Sequence, residues 1–381
     1  MLSMLELMVS YSCEYVVRKS PHLLICCDIN MENMKLFHLT LLRHSSVNIL
    51  TGWNQDGKLN KDGSPCTANC RRFTDTTSYY PVHHPGGTTN KDRWMPLLED
   101  DMRGYETRQE HVTPHIGTEA KTAALTRDEI NAKVAVPPGY DLSNYDQEAE
   151  AVIQRLLETA QSDDKKMKIE FYDNKLNVAV AVIGAVAFQF QLVSEEVLNF
   201  ALALTAGDYD AIILAWKEKI HYDLVRPTTW IQEMMGDMDI ETYAGPFQGV
   251  QTIKGKNFES YVRVMPHSEY VSGSACICQA LMELTDQWIV LNRVGEDPAT
   301  LNITFPTFIA GSSKTEPGIT PAQDLDIVVN GMNELRLQCG ESRLDGGMHF
   351  AESVQNSYTL CNGVGIAAAD FAFSVSDSGN F

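Results

Sequence analysis

The sequence predicts a mainly α-helical protein with long irregular loops. Apolar residues recur at three- and four-residue spacing in most of the chain after residue 145, which is typical of helices packed on one face. Side chains that can cap a helix precede several of these periodic segments. No strand-like alternation of comparable length occurs, so we expect helices to form the core.

Length and charge limit the class of protein. The chain has 381 residues, and 30 Lys and Arg against 50 Asp and Glu give a formal charge of −20. Such a surface repels polyanions, which argues against a general nucleic-acid or anionic-membrane binder. With 44% hydrophobic and 21% charged residues, the chain can bury a sizeable core, in one large domain or two smaller ones.

Composition divides the chain into three regions. Residues 1–50 are a separate N-terminal segment; residues 1–30 within it contain apolar patches without the charge order of a signal peptide, so we predict no targeting segment. Residues 51–145 are rich in Gly, Pro, Thr, Asn and Asp and are expected to be dominated by loops. Residues 146–375 carry the helical pattern. The most apolar stretch, 178–188, is too short to span a bilayer and is predicted to be a buried helix.

The expected helices follow in order along the third region. Ser194 and Asp208 are the predicted caps of two of them, because a side-chain oxygen can satisfy a free backbone N–H at a helix start. The chain is expected to end in an Ala-rich helix before a polar tail. The other helices are predicted at 146–161, 175–192, 194–205, 208–224, 274–293 and 322–338.

Nine cysteines are an odd number, so at least one thiol has no partner within the chain, which weakens a disulfide-scaffold interpretation. Cys66 and Cys70 form a C-x3-C pair without a second pair at zinc-site spacing. A loop with two thiols or one local disulfide is therefore favoured there. Asn54, Asp56, Asn60 and Asp62 suggest a calcium loop, but no register places Gly at the sixth position and Glu at the twelfth, so we reject it.

The first candidate segment for chemistry lies at a helix end. Trp216 and Lys219 are three residues apart and share a helical face. Pro227 disfavours a helical conformation at Arg226, so the helix should end before it and leave Arg226 free to turn back toward Lys219. Taken alone, these cations could simply complement the negative end of the helix dipole.

Two further segments could supply an anion site. Ser272, Gly273 and Ser274 immediately precede an apolar helix, where free N–H groups and the positive end of the helix dipole favour an anion; a plain helix cap is equally consistent. Glycines between Arg343 and His349 permit a tight turn that directs both side chains to one point. Together with the first segment they predict a cationic pocket for a small tetrahedral oxyanion.

These segments resemble the signature of the vanadium-dependent haloperoxidase and type 2 phosphatidic acid phosphatase superfamily. The chain shows K-x6-R-P from Lys219, then Ser272-Gly273, then S-R-x5-H ending at His349, in that order. The neighbouring residues, including Glu269-Tyr270 and Cys339-Gly340-Glu341, are similar to the haloperoxidase branch. The resemblance covers roughly 50–370 and implies a helical-bundle haloperoxidase or acid-phosphatase-like fold.

The resemblance also implies roles for single residues. His349 would be the axial ligand to vanadium. Trp216 occupies the position of a tryptophan beside the halide site of the fungal chloroperoxidases. His267 occupies a position where those enzymes carry an aromatic residue and the algal bromoperoxidases a histidine. The oxygens of vanadate would be bound by Lys219, Arg226, Arg343, Ser272 and Gly273.

The chain departs from the family pattern at two places. The residue after Ser272-Gly273 is normally a histidine that handles protons; here it is Ser274, whose hydroxyl is not a base near neutral pH. This puts chloride oxidation in doubt. Residues 1–50 match none of the helices that open the family's fold, and an incorrect gene start is one explanation.

Three functions are compatible with these residues. The leading hypothesis is a vanadate-dependent peroxidase that oxidises bromide or iodide with hydrogen peroxide, after which the oxidised halide halogenates a small organic acceptor. A phosphatase would use His349 as nucleophile in the same pocket. A degenerate paralogue would keep only oxyanion binding. No nucleic-acid partner and no membrane span are expected, and the oligomeric state is left open, a homo-oligomer included.

Overall fold

Helices form the framework, with short hairpins and loops around them. The computed structural model describes residues 91–100 and 104–377. Cys66, Cys70, the 54–62 stretch, the 1–50 segment and the first part of the loop-rich region lie outside the described residues. The mainly α class predicted from the sequence is confirmed.

The elements follow in chain order. Strands β1 and β2 pair as a small antiparallel hairpin, as do β3 with β4 and β5 with β6. The strands are β1 (Leu98–Asp100), β2 (Glu106–Arg108), β3 (Asp239–Tyr243), β4 (Val250–Lys254), β5 (Asn302–Thr304) and β6 (Val328–Asn330). The helices are α1 (Ile116–Glu119), α2 (Arg127–Ala132), α3 (Tyr145–Ala160), α4 (Asp163–Asp173), α5 (Lys175–Gln189), α6 (Ser194–Tyr222), α7 (Pro227–Met234), α8 (Gly273–Asn292), α9 (Met332–Asp345), α10 (Ala351–Cys361) and α11 (Val364–Asp377).

Helix α8 lies at the centre of the bundle, where it packs against α6, α9, α10 and α11. Its Leu284 and Trp288 side chains are fully buried. Gly207 on α6 allows a close approach to α8 and α11, because an added Cβ there would lie 2.9 Å from Leu284 Cδ2 and 3.3 Å from Ala368 Cβ. The bundle therefore holds the N-terminus of α8 in a fixed place.

The predicted helices 194–205 and 208–224 are one continuous helix, α6, so the predicted break was wrong. Asp208 does not cap a helix start; it lies in the middle of α6, and its Oδ1 is buried without a hydrogen-bond partner among the described residues. Gly207 does not end a helix; it allows α6 to pack closely against α8 and α11. Tertiary contacts thus outweigh the local stop signal.

The predicted helix 322–338 was also wrong in its first half. Residues 328–330 form strand β6, which pairs with β5, and Gly331 follows with φ of +82°. Helix α9 begins only at Met332. Strand pairing therefore takes up residues that the apolar spacing alone assigned to a helix. By contrast, the predicted helices at 146–161, 175–192, 274–293 and the C-terminus correspond to α3, α5, α8 and α11.

The turn after α6 lies beside the N-terminal part of the described chain. Asp223, with φ of +50°, ends α6, and Pro227 starts α7 at its first position, where its missing N–H is not needed. Trp94 N donates to Asp223 O at 2.8 Å, and Val225 N donates to Asp92 O at 2.9 Å. The predicted stop before Pro227 is confirmed, and the turn is held on both sides.

Two buried disulfides join the elements around α8. Cys276 bonds to Cys361 and ties α8 to the end of α10. Cys278 bonds to Cys339 and ties α8 to α9, one turn before Arg343. All four residues are fully buried. The odd cysteine count therefore did not exclude structural disulfides.

Removal of either disulfide is expected to destabilise the protein substantially. The bonds close segments of 85 and 61 residues, and cross-links of this kind contribute roughly 2–4 kcal/mol to the free energy of unfolding. Urea unfolding of Cys276→Ala/Cys361→Ala and of Cys278→Ala/Cys339→Ala would measure each contribution. Variants as stable as the oxidised wild type would show that the bonds are not formed in solution.

Two helical segments have the length and apolar character needed to cross a bilayer: α6, and Ala351–Asp377, which contains α10 and α11. The bent pair of α4 and α5 would count as a third only if taken together. Much of α6 instead packs inside the bundle, where it carries the buried Glu218 and Lys219. The expected absence of a membrane span stays a prediction.

Candidate active site

The structure brings the three candidate segments to one place inside the bundle. Helix α6 and its turn supply Lys219 and Arg226, the N-terminus of α8 supplies Ser272 and Gly273, and the end of α9 and the turn after it supply Arg343 and His349. Their exposed fractions range from 0% for Lys219 and Ser272 to 4% for Arg343 and His349. We refer to these six buried residues, which come from three segments, as the pocket.

Lys219 donates two hydrogen bonds to main-chain oxygens, 2.7 Å to Ser268 O and 2.9 Å to Glu269 O. Its ammonium group lies 5.9 Å from the centre of the Trp216 ring. Burial, and then the neighbouring Arg226, hold the pKa of Lys219 well below its usual value, while Glu269 opposes this shift. A bound anion would favour the charged ammonium form.

Arg226 contacts both histidines of the site. Its Nε donates to His267 O at 3.0 Å, Nη1 donates to Met348 O at 2.9 Å, and Nη2 lies 2.9 Å from His267 Nδ1. Nη1 also lies 3.3 Å from His349 Nε2. Burial lowers the pKa of Arg226 to about 10, so the guanidinium is charged at neutral pH. It must therefore be the donor in each contact.

Arg343 lies in the last turn of α9 and is buried. Its Nη1 donates to Asp173 Oδ1 at 3.0 Å and Nη2 donates to Ile169 O at 3.3 Å, so helix α4 positions the guanidinium. The Asp173 side chain is 44% exposed and leaves the cation only partly neutralised. Charges of Arg343 and Arg226 both help to lower the pKa of His349, which places these groups around one centre.

His349 is oriented by a carboxylate that the motif did not identify as functional. Its Nδ1 lies 2.7 Å from Glu269 Oε1, and both side chains are buried. Burial, followed by the charges of Arg226 and Lys219, holds the pKa of His349 well below its usual value. The imidazole is neutral at pH 7, which leaves one ring nitrogen with a lone pair.

The N-terminus of α8 serves both as a helix cap and as part of the pocket wall. Ser272 Oγ accepts a hydrogen bond from Ala275 N at 3.4 Å, and Ser272 N donates to Ser353 O at 3.3 Å. An added Cβ on Gly273 would lie 3.2 Å from Trp216 Cζ3 and 3.9 Å from Lys219 Cε. Glycine therefore lets the helix end approach the cation. Ser274 follows as a partly buried residue of the first turn.

Trp216 and His267 form the side of the pocket next to Lys219. Their ring centroids are 4.8 Å apart, and Trp216 Nε1 donates to Val112 O at 2.9 Å. His267 Nδ1 lies 2.9 Å from Arg226 Nη2 and 3.1 Å from Ser268 O. Burial, then Lys219 and Arg226, keep the pKa of His267 well below its usual value.

Several residues of the site were missed by sequence reasoning. His111 lies 6.4 Å from His267 between ring centroids, and Tyr140 donates to Glu269 Oε2 at 2.8 Å. Lys175, at the start of α5, has its pKa held well below its usual value by burial and then by Arg343. Asp173 binds Arg343. No short-range spacing connects these residues to the three segments, so only the fold could reveal them.

Acid is expected to destabilise the protein partly through His111. Its pKa is lowered from 6.5 to about 3, mainly by burial, with Lys219 and Arg226 adding to the shift. Between pH 6.5 and about 3, His111 is protonated in the unfolded chain but neutral in the folded chain. The free energy of unfolding therefore decreases as pH falls toward 3. At about pH 4.5 the loss of stability amounts to about 3 kcal/mol. Urea unfolding at pH 7 and 4.5 should show a smaller loss for His111→Gln; an equal loss would contradict the assignment.

The described residues form a helical bundle with a buried cluster of cations around His349. Residues 199–378 match the family model described as the VCPO second helical-bundle domain. This range contains all the predicted pocket residues. Residues 199–378 are thus similar to a domain of the vanadium-dependent haloperoxidases, which supports the resemblance seen in the sequence.

Solved structures share the fold. A bacterial vanadium-dependent chloroperoxidase in its holo form is 24% identical, covers 97% of this chain and 82% of its own, and has a TM-score of 0.74. The apo form of a bacterial vanadium-dependent chloroperoxidase is 24% identical, with coverage of 84% and 70% and a TM-score of 0.74. A bacterial vanadium-dependent iodoperoxidase is 16% identical, with coverage of 77% and 63% and a TM-score of 0.54. Comparison with curated proteins gave no match.

Proposed function

We propose that the protein is a vanadate-dependent haloperoxidase that uses hydrogen peroxide to oxidise bromide or iodide, which then halogenates a small organic acceptor. The observation that carries this proposal is the buried cluster of Lys219, Arg226 and Arg343 around His349. Among the described residues, no carboxylate lies within ion-pair distance of Lys219 or Arg226. Buried cations of this kind require an anion for stability.

The donor set fits vanadate better than a bare metal cation. Within residues 91–100 and 104–377, no group of three or more His, Cys, Asp or Glu side chains is placed to hold a metal ion. The pocket instead offers one imidazole and several hydrogen-bond donors. A vanadium centre that brings its own oxygens matches this set, because the cations bind the oxygens and a single histidine binds the metal.

Each residue of the chain has a defined task in this proposal. Lys219, Arg226 and Arg343 hold the oxygens of vanadate by charge-assisted hydrogen bonds. Ser272 Oγ accepts from the α8 backbone, so its own proton remains available to an oxyanion, and Gly273 can donate its N–H. His349 Nε2 supplies the protein bond to vanadium. Bound vanadate supplies a Lewis-acidic centre that activates hydrogen peroxide toward a halide.

We place the halide and the organic acceptor near Trp216 and His267. The two rings lie side by side next to Lys219, so this wall combines apolar surface with a nearby positive charge. Ser274, where the family carries a histidine, leaves this position without a base, and this supports bromide or iodide rather than the harder-to-oxidise chloride.

Vanadate titration by calorimetry, followed by bromide oxidation with hydrogen peroxide, tests the proposal. We expect vanadate binding and peroxide-dependent bromination of a phenol, both lost in Lys219→Ala/Arg226→Ala. Hydrolysis of an aryl phosphate by the vanadate-free protein, with a phosphorylated His349, would instead identify a phosphatase. Oxyanion binding with neither activity would identify a degenerate paralogue.

A further inference from the structure

Glu269 is a fully buried carboxylate, and burial of a charged side chain without partners destabilises a protein. Its exposed fraction is 0%, and such groups are buried only with partners. Oε1 lies 2.7 Å from His349 Nδ1 and accepts from Phe350 N at 3.1 Å, and Oε2 accepts from Tyr140 OH at 2.8 Å. Burial raises the pKa of Tyr140 well above its usual value, so its hydroxyl stays a donor. Both carboxylate oxygens are thus satisfied.

The main chain of Glu269 is fixed as firmly as its side chain. Its N–H donates to Leu224 O at 2.9 Å, in the turn between Lys219 and Arg226. Its carbonyl oxygen accepts from Lys219 Nζ at 2.9 Å and from Ser353 Oγ at 3.4 Å. One residue therefore sets the relative positions of a pocket cation and of the pocket histidine.

Two independent contacts determine which nitrogen of His349 carries the proton. A carboxylate only accepts, so the nitrogen that faces Glu269, Nδ1, must carry the hydrogen. On the other side, the Arg226 guanidinium only donates, and its Nη1 lies 3.3 Å from Nε2. Both contacts require the same tautomer, with the lone pair on Nε2.

We propose that Glu269 is a positioning residue that holds His349 as the Nδ1-protonated tautomer and directs its Nε2 lone pair at the oxyanion pocket. The inference rests on the proposed function only for the identity of the oxyanion. Partners of this kind orient metal-bound histidines and increase their basicity, and their loss typically costs 10–100-fold in affinity. Glu269 therefore acts on the metal through His349 rather than by contact.

The tautomer can be measured on the wild-type protein without any ligand. Nitrogen-15 NMR distinguishes protonated from unprotonated imidazole nitrogens, and comparison with His349→Gln assigns the His349 signals. We expect Nδ1 protonated and Nε2 unprotonated at pH 7. Signals from a ring protonated at Nε2 would overturn the proposal regardless of any activity.

Variants of Glu269 extend the test to ligand binding. Vanadate would use the His349 bond, whereas phosphate would use only the cations and donors, so the ratio of the two affinities reports on His349. Glu269→Ala should lower this ratio by roughly 10-fold or more. Glu269→Gln keeps a hydrogen-bond acceptor and the size of the side chain, so we expect a smaller decrease in the affinity ratio. It also serves as the test variant if Glu269→Ala does not fold.

Glu283→Gln is the matched control. Glu283 is likewise a buried carboxylate, but it accepts from Gly363 N and Gln279 Nε2, both at 2.8 Å, away from His349. The Glu283→Gln variant should leave the ratio of vanadate to phosphate affinity and the NMR signals of His349 unchanged. An unchanged ratio in both Glu269 variants, with tight vanadate binding, would overturn the role of Glu269. If the wild type binds vanadate no better than phosphate and oxidises no halide, the proposed function fails, while the NMR result still decides the tautomer.

Discussion

Replacement of His349 by alanine is expected to abolish halide oxidation while the pocket still binds oxyanions at lower affinity. His349 is a neutral imidazole whose Nε2 lies among the cations, whereas Lys219, Arg226 and Arg343 would contact the oxygens of the anion. Loss of a metal ligand should cost more than loss of an outer partner, so we expect at least about a 100-fold drop in bromide turnover.

The same pair of proteins separates the two enzymatic functions. Vanadate affinity by calorimetry should fall strongly and phosphate affinity only slightly in His349→Ala, because phosphate needs no bond to the imidazole. A phosphatase would lose ester hydrolysis and the phosphorylated intermediate instead. His221→Ala, at an exposed histidine of α6, is the matched control. If His349→Ala leaves both affinities and both activities unchanged, the assignment of this segment is wrong.

Ser274→His is expected to increase the rate of bromide oxidation by roughly 10²-fold. Ser274 follows Gly273 in the first turn of α8, and Gly273 lies directly against Lys219 and Trp216. An imidazole at this position would place a titratable group beside the oxyanion, where general acid or base catalysis can assist proton transfer to and from peroxide.

Steady-state kinetics with bromide and with chloride, at saturating vanadate, would measure this gain. Ser274→Gln is the matched control, since it adds similar bulk and hydrogen-bonding groups without a titratable nitrogen. A gain in the histidine variant alone supports a missing proton carrier. Equal rates in wild type and Ser274→His, with vanadate bound in both, would mean that another residue already moves the proton.

Much of the candidate site follows from local sequence, because its signals act within one or two helical turns. Pro227 determines where α6 can no longer continue, and the capping hydroxyl of Ser272 determines where α8 begins. Gly347, with φ of +76°, permits the turn that leads to His349. The residue types in these segments predicted a cationic oxyanion pocket before any contact between them was known.

Only the tertiary structure decided how these segments meet. The contact between Glu269 and His349 joins residues 80 positions apart, and the contact between Arg343 and Asp173 joins residues 170 apart. Such contacts depend on how the helices pack, and short-range spacing in the sequence carries no information about that packing. The same packing kept α6 continuous through Gly207, and it brought cysteines of three helices within bonding distance. The sequence by itself thus determined the mainly helical class and the chemistry of each pocket segment, whereas burial and packing decided the protonation, orientation and partners of its side chains.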